Sequence, residues 1–156
     1  MYFLPLPHGH GSLRLGLRIA ANERKVPIYD VLRLASIVER EARDRGESAR
    51  VAGVYQNRLD IGMKLDADPT IQYALGDWRE LSLEDLKITS PYNTYRVAGL
   101  PPTPISNPGQ RAIEGAARPE KHDFLFFVAK GDASGQHVFA RTLAEHEANR
   151  VKVGNR

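Results

Sequence analysis

Apolar residues recur at helical spacing over Val31, Leu34, Ala35, Val38 and Ala42, and this stripe organises the reading of the chain. With Val38 as zero and about 100° per residue, the other four lie within about 60° of it and Ile37 lies just outside. The spacing predicts a helix from about Tyr29 to Asp44, with Pro27 where a first turn tolerates it and Arg45-Gly46 as a stop. Two glutamates interrupt the pattern. Glu41 falls about 60° from Val38, inside the apolar stripe, while Glu39 falls about 100° away, on the flank toward water. Arg40 points nearly opposite the stripe.

Upstream, residues 1 to 12 read as loop, with Pro5, Pro7 and the run His8-Gly9-His10-Gly11. Two histidines without a third ligand nearby favour a flexible loop over a metal site. Leu13, Leu15, Leu17 and Ile19 alternate like a strand, whereas Ile19 to Arg24 suits a helix, and pattern alone leaves that segment open.

Downstream, Ser48 is placed to cap a helix carrying Val51, Val54, Tyr55 and Leu59 and ending at Ile61-Gly62. A short extended piece with a turn follows at Lys64 to Asp68. Asp68 as N-cap and Pro69 at the first position open a helix through Ile71, Tyr73 and Leu75 to Gly76. Ser82-Leu83-Glu84-Asp85 has the spacing of a capping box. Then comes a loop dense in proline and glycine, from Ser90 to Gly109, of the ordered kind that is disproportionately functional. Pro108 starts a helix that ends near Arg118-Pro119. Phe124 to Ala129 and His137-Val138-Phe139, joined across Gly131 to Gly135, form a predicted β-hairpin. A charged helix from about Thr142 to Lys152 completes the chain. The fold class is α+β, mostly helical with a small antiparallel hairpin.

Composition adds bounds. A chain of 156 residues, 42% hydrophobic and 26% charged, fits one ordinary soluble globular domain. A net charge of +3 and a pI near 9.3 suit an anionic partner. The basic residues are scattered, however, and no aromatics interleave with Lys/Arg clusters, which disfavours nucleic acid. Without cysteine there is no disulfide or thiolate metal site. No apolar run reaches the roughly 18 residues of a transmembrane helix, and Met1 to Pro7 is too short and proline-rich for a signal peptide. Glycine-rich nucleotide loops, HExxH and GxSxG are absent. His122, His137 and His146 read as structural.

The candidate chemistry is therefore a single carboxyl. On a buried face, desolvation disfavours the ionised form, so the pKa of Glu41 rises from about 4.3 toward the range of a general acid near neutral pH. The wheel alone slightly favours the other reading, a rim residue paired with an arginine.

Several blocks in order carry a family resemblance. They are Leu34-Ala35-Ser36-Ile37-Val38-Glu39-Arg40-Glu41, Val54-Tyr55-Gln56-Asn57-Arg58-Leu59, Ile61-Gly62-Met63-Lys64-Leu65, Asp68-Pro69-Thr70, Ser90-Pro91-Tyr92-Asn93-Thr94-Tyr95, Gly99-Leu100-Pro101-Pro102 and Ser106-Asn107-Pro108-Gly109. Each is weak alone. Together, over residues 31 to 152, they resemble the YceG-like family of MltG-type endolytic murein transglycosylases.

The resemblance implies a lysozyme-like domain and a lytic transglycosylase acting on peptidoglycan glycan strands, with no metal or cofactor. It implies Glu41 as the catalytic acid and helix over residues 12 to 24. Candidate sugar-binding side chains are Asn57, Asp68, Gln72, Tyr92, Asn93, Thr94 and Tyr95. Amides and tyrosines suit neutral sugars, while Asn57 and Asp68 equally suit an internal hydrogen-bonder and a helix cap. Family members carry a cytoplasmic N-terminus, one membrane-spanning helix and a LysM-like segment before the catalytic domain. Residues 1–30 would be a lead-in and 31–156 the catalytic domain, lying in the cell envelope outside the cytoplasmic membrane. Any membrane attachment would run through an N-terminal anchor, and any peptidoglycan synthase partner would belong to the full-length protein. The rival reading is a glycan-binding domain without catalysis.

Overall fold

The computed structural model describes residues 9–154, and the loop reading for residues 1–8, with His8, lies outside them. Among the described residues the order is α1 (Gly9–Arg24), α2 (Ile28–Glu41), α3 (Ser48–Asp60), α4 (Asp68–Leu75), α5 (Gln110–Ala117), β1 (Phe126–Ala129), β2 (His137–Ala140) and α6 (Leu143–Lys152). Short 3-10 turns occupy Arg45–Glu47 and Asp85–Lys87. The class is α+β, as the sequence pattern predicts. No helix of the described residues is long and apolar enough to cross a membrane.

The core forms where α2 lies across α3 and α5. Val31, Leu34, Ala35, Ile37 and Val38 of α2 meet Val51, Ala52 and Tyr55 of α3 and Ala112, Ala116 and Ala117 of α5. Ala20 and Ala21 of α1 join the same cluster, so residues 12–24 are helical as the resemblance implies. That helix also takes in residues 9–11, expected as loop. Its interior lacks the sheet partner that the Leu13–Ile19 alternation would need. α3 and α5 approach closely at Gly115, where a Cβ would lie 2.8 Å from the backbone carbonyl carbon of Ser48.

Burial on α2 is broader than one stripe. Ile37 and Ser36 are fully buried because the loop after Gly99 and α5 cover a second side. The Ser36 hydroxyl donates to the Arg33 carbonyl at 2.7 Å and accepts from the Ile105 amide at 2.9 Å, pinning that loop to the helix. Glu39, expected to face water, is half-buried and accepts from the Gly109 amide at 2.9 Å, at the start of α5. An anion there complements the exposed N–H groups of a helix N-terminus.

α2 stops at Glu41, three residues before the predicted Asp44. The hairpin turn takes over at that point: the Asp44 amide donates to the Gly135 carbonyl, and Gln136 donates to the Asp44 carboxylate. Ser48 is not a cap, since the 3-10 turn runs directly into α3 and Ser48 is its first, buried residue. Asp68 is likewise the first helical residue of α4, with Ala67 at the N-cap. The capping box at Ser82 forms, with Ser82 and Asp85 exchanging hydrogen bonds, yet supports only a 3-10 turn. α5 starts at Gln110, two residues after Pro108.

The hairpin pairs Phe126 with Ala140, Phe127 with Phe139, Val128 with Val138 and Ala129 with His137, antiparallel. β1 begins at Phe126 rather than Phe124 because α3 takes the preceding carbonyls. Asn57 donates to the Phe124 carbonyl at 2.9 Å and Arg58 to the Leu125 carbonyl at 2.7 Å.

Candidate active site

Glu41 is the last residue of α2, where the helix meets α3, α4 and the hairpin. The Tyr55 hydroxyl, from the middle of α3, donates to Glu41 Oε1 at 2.9 Å. Burial is the main reason the Glu41 pKa rises from its ordinary 4.5 to about 7, and the negative charge of Asp68 adds to it. The Tyr55 hydrogen bond and the Arg58 guanidinium pull the other way and only partly offset burial. A carboxyl poised near 7 can give up a proton and take one back at neutral pH.

Arg58 sits beside this carboxyl, 8% exposed. Its guanidinium donates to the carbonyls of Leu125, Lys64 and Leu65 and reaches the Asp66 carboxylate at 3.4 Å. One side chain thus ties the end of α3 to the strand entry and to the turn before α4. Asp66 holds a left-handed backbone, φ 47°, and its pKa is raised, chiefly by burial.

A groove runs past Glu41 on both sides. One lobe, of about 490 Å³, includes Tyr55, Arg58, Tyr95, Phe126 and His146. The other, of about 880 Å³, includes Arg40, Arg43, Gln72, Trp78 and the hairpin turn. They share Glu41, Asp68, Ala129 and His137. The carboxyl therefore lies at the middle of an open trough, a shape that admits a polymer from either end. His137, 9% exposed, is held by Glu47, which accepts from its Nδ1 side at 2.8 Å and from its backbone amide at 3.0 Å.

The sequence-derived sugar-binding candidates divide. Asp68, Gln72 and Tyr95 line the groove with Glu41. The Tyr95 hydroxyl donates to Asp68 Oδ1 at 2.5 Å, and burial with that hydrogen bond raises its own pKa. Gln72 donates to the Arg79 carbonyl at 2.7 Å. The other four do not line the groove. Asn93 is fully buried and donates to the carbonyls of Leu86 and Ile88. Thr94, also buried, accepts from the Ala67 amide and shares a hydrogen bond with Thr70. Tyr92 bonds Thr103 at 2.8 Å and packs on Tyr73. Asn57 faces away from the groove and holds the segment before β1 through the carbonyls of His122 and Phe124.

Pattern reading missed Tyr55, Arg58, Asp66, His137 and Trp78. Tyr55 reads as one more apolar helix position, and Arg58 as a continuation of the same helix. Two signals were available: Tyr55 and Arg58 lie in a block that carries the resemblance, and Arg58 falls four residues after Val54 on a face otherwise apolar.

A family model described as the YceG-like family matches residues 12–152. The chain is 42% identical over 131 residues to an endolytic murein transglycosylase of Bacillus subtilis (strain 168), an alignment covering 83% of this chain and 36% of the relative. It is 34% identical over 132 residues to an endolytic murein transglycosylase of Streptococcus pneumoniae serotype 2, covering 81% and 24%. A crystal structure of a YceG-like protein from Listeria monocytogenes superposes with a TM-score of 0.80 at 40% identity, covering 86% of this chain and 44% of that one. The chain therefore spans only about a quarter to under half the length of these relatives.

Proposed function

The chain belongs to the YceG-like family, and from that premise we propose that it cleaves peptidoglycan glycan strands internally as a lytic transglycosylase, with Glu41 as acid and then base. The observation that carries the reading is one carboxyl, raised to about 7 by burial, at the midpoint of a groove open in both directions.

In this reading protonated Glu41 gives its proton to the glycosidic oxygen between N-acetylmuramic acid and N-acetylglucosamine. The C1–O bond breaks as the oxygen leaves as a hydroxyl. The Glu41 carboxylate then takes the proton of the muramic C6 hydroxyl, and O6 closes on C1 to give a 1,6-anhydro end. Glu41 finishes protonated and no water is consumed. The Tyr55 hydroxyl holds the carboxyl in place and stabilises it between the two steps. Asp68, Gln72 and Tyr95 contact the glycan, while Asn57, Tyr92, Asn93 and Thr94 act through the walls they brace. The arrangement is lysozyme-like in that a helix presents the acid beside a small hairpin.

Residues 31–156 form the catalytic domain in this proposal and 1–30 lead into it. The domain works in the cell envelope, and attachment to the inner membrane and contact with peptidoglycan synthases fall to other segments of a longer protein.

Asp68 supplies a specific second reading. A second carboxylate on the same groove is what a hydrolytic glycosidase uses. Digestion of purified peptidoglycan, followed by mass spectrometry, decides between them. Anhydro ends, one water lighter than reducing ends, are expected. Reducing ends would favour hydrolysis, and binding without release would favour a glycan-binding domain.

A further inference from the structure

The larger lobe of the groove differs in charge from the smaller one. Its floor carries two arginines, Arg40 and Arg43, and beside them an indole. The Arg40 guanidinium lies over the Trp78 ring at 3.8 Å from its centroid. Neither arginine is paired with a carboxylate among the described residues, whereas Arg58 and Arg150 in the smaller lobe both are. Among the described residues, the carboxylates lining the larger lobe are Glu41 and Asp68, at the junction. Asp68 is already taken by Tyr95, and Glu41 is held largely protonated below about pH 7. Trp78 is 45% exposed.

A flat aromatic face stacks on the apolar face of a sugar ring. A guanidinium with free donors takes a carboxylate in two parallel hydrogen bonds. The Arg40 guanidinium covers one face of the indole, so the half-exposed remainder of the ring meets the sugar while the guanidinium edge meets its acid. A neutral glycan would leave both cations without a partner in the groove.

Resting on the glycan-cleaving reading, we propose that Trp78, Arg40 and Arg43 form a subsite for the acidic unit of the strand, stacking a sugar ring on the indole and pairing its appended carboxylate with the guanidiniums. That carboxylate is the lactyl group of an unsubstituted muramic acid or the acids of a stem peptide, and the chemistry recognised is the same.

Trp78 is the chain's single tryptophan, so its emission reports this lobe alone. The test uses the Glu41→Gln chain, which does not consume ligand, and three tetrasaccharides: N-acetylglucosamine tetramer, the alternating muramic tetrasaccharide with free lactyl groups, and the same with stem peptides. Emission is expected to change with all three, and on the order of tenfold more tightly for one or both acidic ligands. The acidic ligand that binds tighter names the source of the carboxylate. Arg40→Ala/Arg43→Ala should abolish the difference, and raising the salt should shrink it in the parent without any substitution. Equal affinity for neutral and acidic ligands, or an emission that no ligand moves, overturns the proposal. Release of fragments from peptidoglycan by the unmodified chain, measured alongside, separates the two levels. Cleavage without discrimination sinks the subsite alone, and discrimination without cleavage sinks the catalytic reading alone.

Discussion

The Tyr55 hydroxyl donates to Glu41 Oε1 across 2.9 Å, from the middle of one helix to the last residue of another. This bond favours the charged carboxylate and so works against the burial that holds the proton on. Tyr55→Phe keeps the ring and its edge-on packing against Phe127 while deleting the donor. The pKa of Glu41 should then rise by up to about one unit. The alkaline limb of the pH–rate profile, which reports loss of the acid form, should move up by the same amount. A limb that stays put or moves down would show that Tyr55 does not act on Glu41 as a donor.

Two glutamates two residues apart have separate tasks. Glu41→Gln should abolish fragment release from purified peptidoglycan, a loss of about a thousandfold or more, since in the proposed mechanism this carboxyl supplies the proton. Glu39→Gln should keep most of the rate, because an amide oxygen can still accept from the Gly109 amide at the start of α5. Release of soluble fragments over time, with both variants at equal concentration, checks this. A dead Glu39→Gln beside an active Glu41→Gln would reverse the assignment.

The buried carboxyl also leaves a mark on stability. Folded, Glu41 titrates at about 7, and its ordinary value is 4.5. Between those values the folded chain holds a proton that the unfolded chain has lost. Stability from this group is complete below about pH 4.5 and drains away as pH rises to about 7, by up to about 3 kcal/mol. Glu41→Gln, which can still accept from Tyr55, removes that slope. Urea unfolding should find the variant close to the parent at pH 4 and more stable at pH 8. A constant difference at both pH values would mean that the carboxyl is not titrating as described.

Arg58→Met should cost about 3 kcal/mol or more in urea unfolding, because it strips the donor from three carbonyls at once and leaves Asp66 without its cation. Arg58→Lys should recover little of this, since a single ammonium cannot match the planar fork that spans Leu125, Lys64 and Leu65. Near-parental stability for either variant would show that this arginine is a bystander.

Much of the molecule follows from local pattern. The period of Val31, Leu34, Ala35 and Val38 is enough to predict α2 and the face it buries, and the same arithmetic puts Glu41 within that face. That a hairpin forms follows from the apolar run and its glycine turn, and the close of α4 from a glycine in the left-handed region, φ 70°. These features depend on residues close in sequence, where helical spacing and turn geometry act without outside help.

Other features needed partners far along the chain. Helix α2 ends at Glu41 because the hairpin turn, some ninety positions later, claims the backbone and side chain of Asp44. Glu39 turns from water because α5 presents an amide to it from seventy residues away. Of seven polar candidates for sugar contact, Asp68, Gln72 and Tyr95 reach the groove. Asn57 and Asn93 spend their hydrogen bonds on backbone carbonyls, and Tyr92 and Thr94 bond the side chains of Thr103 and Thr70. Composition cannot distinguish an amide that faces a ligand from one that staples a loop, because both have the same donors and acceptors. The sequence by itself determined that Glu41 shares the apolar face of α2 and which elements would accompany it. Only the tertiary structure decided what surrounds that acid, because a pKa and a groove depend on neighbours brought together by packing, and no local period encodes them.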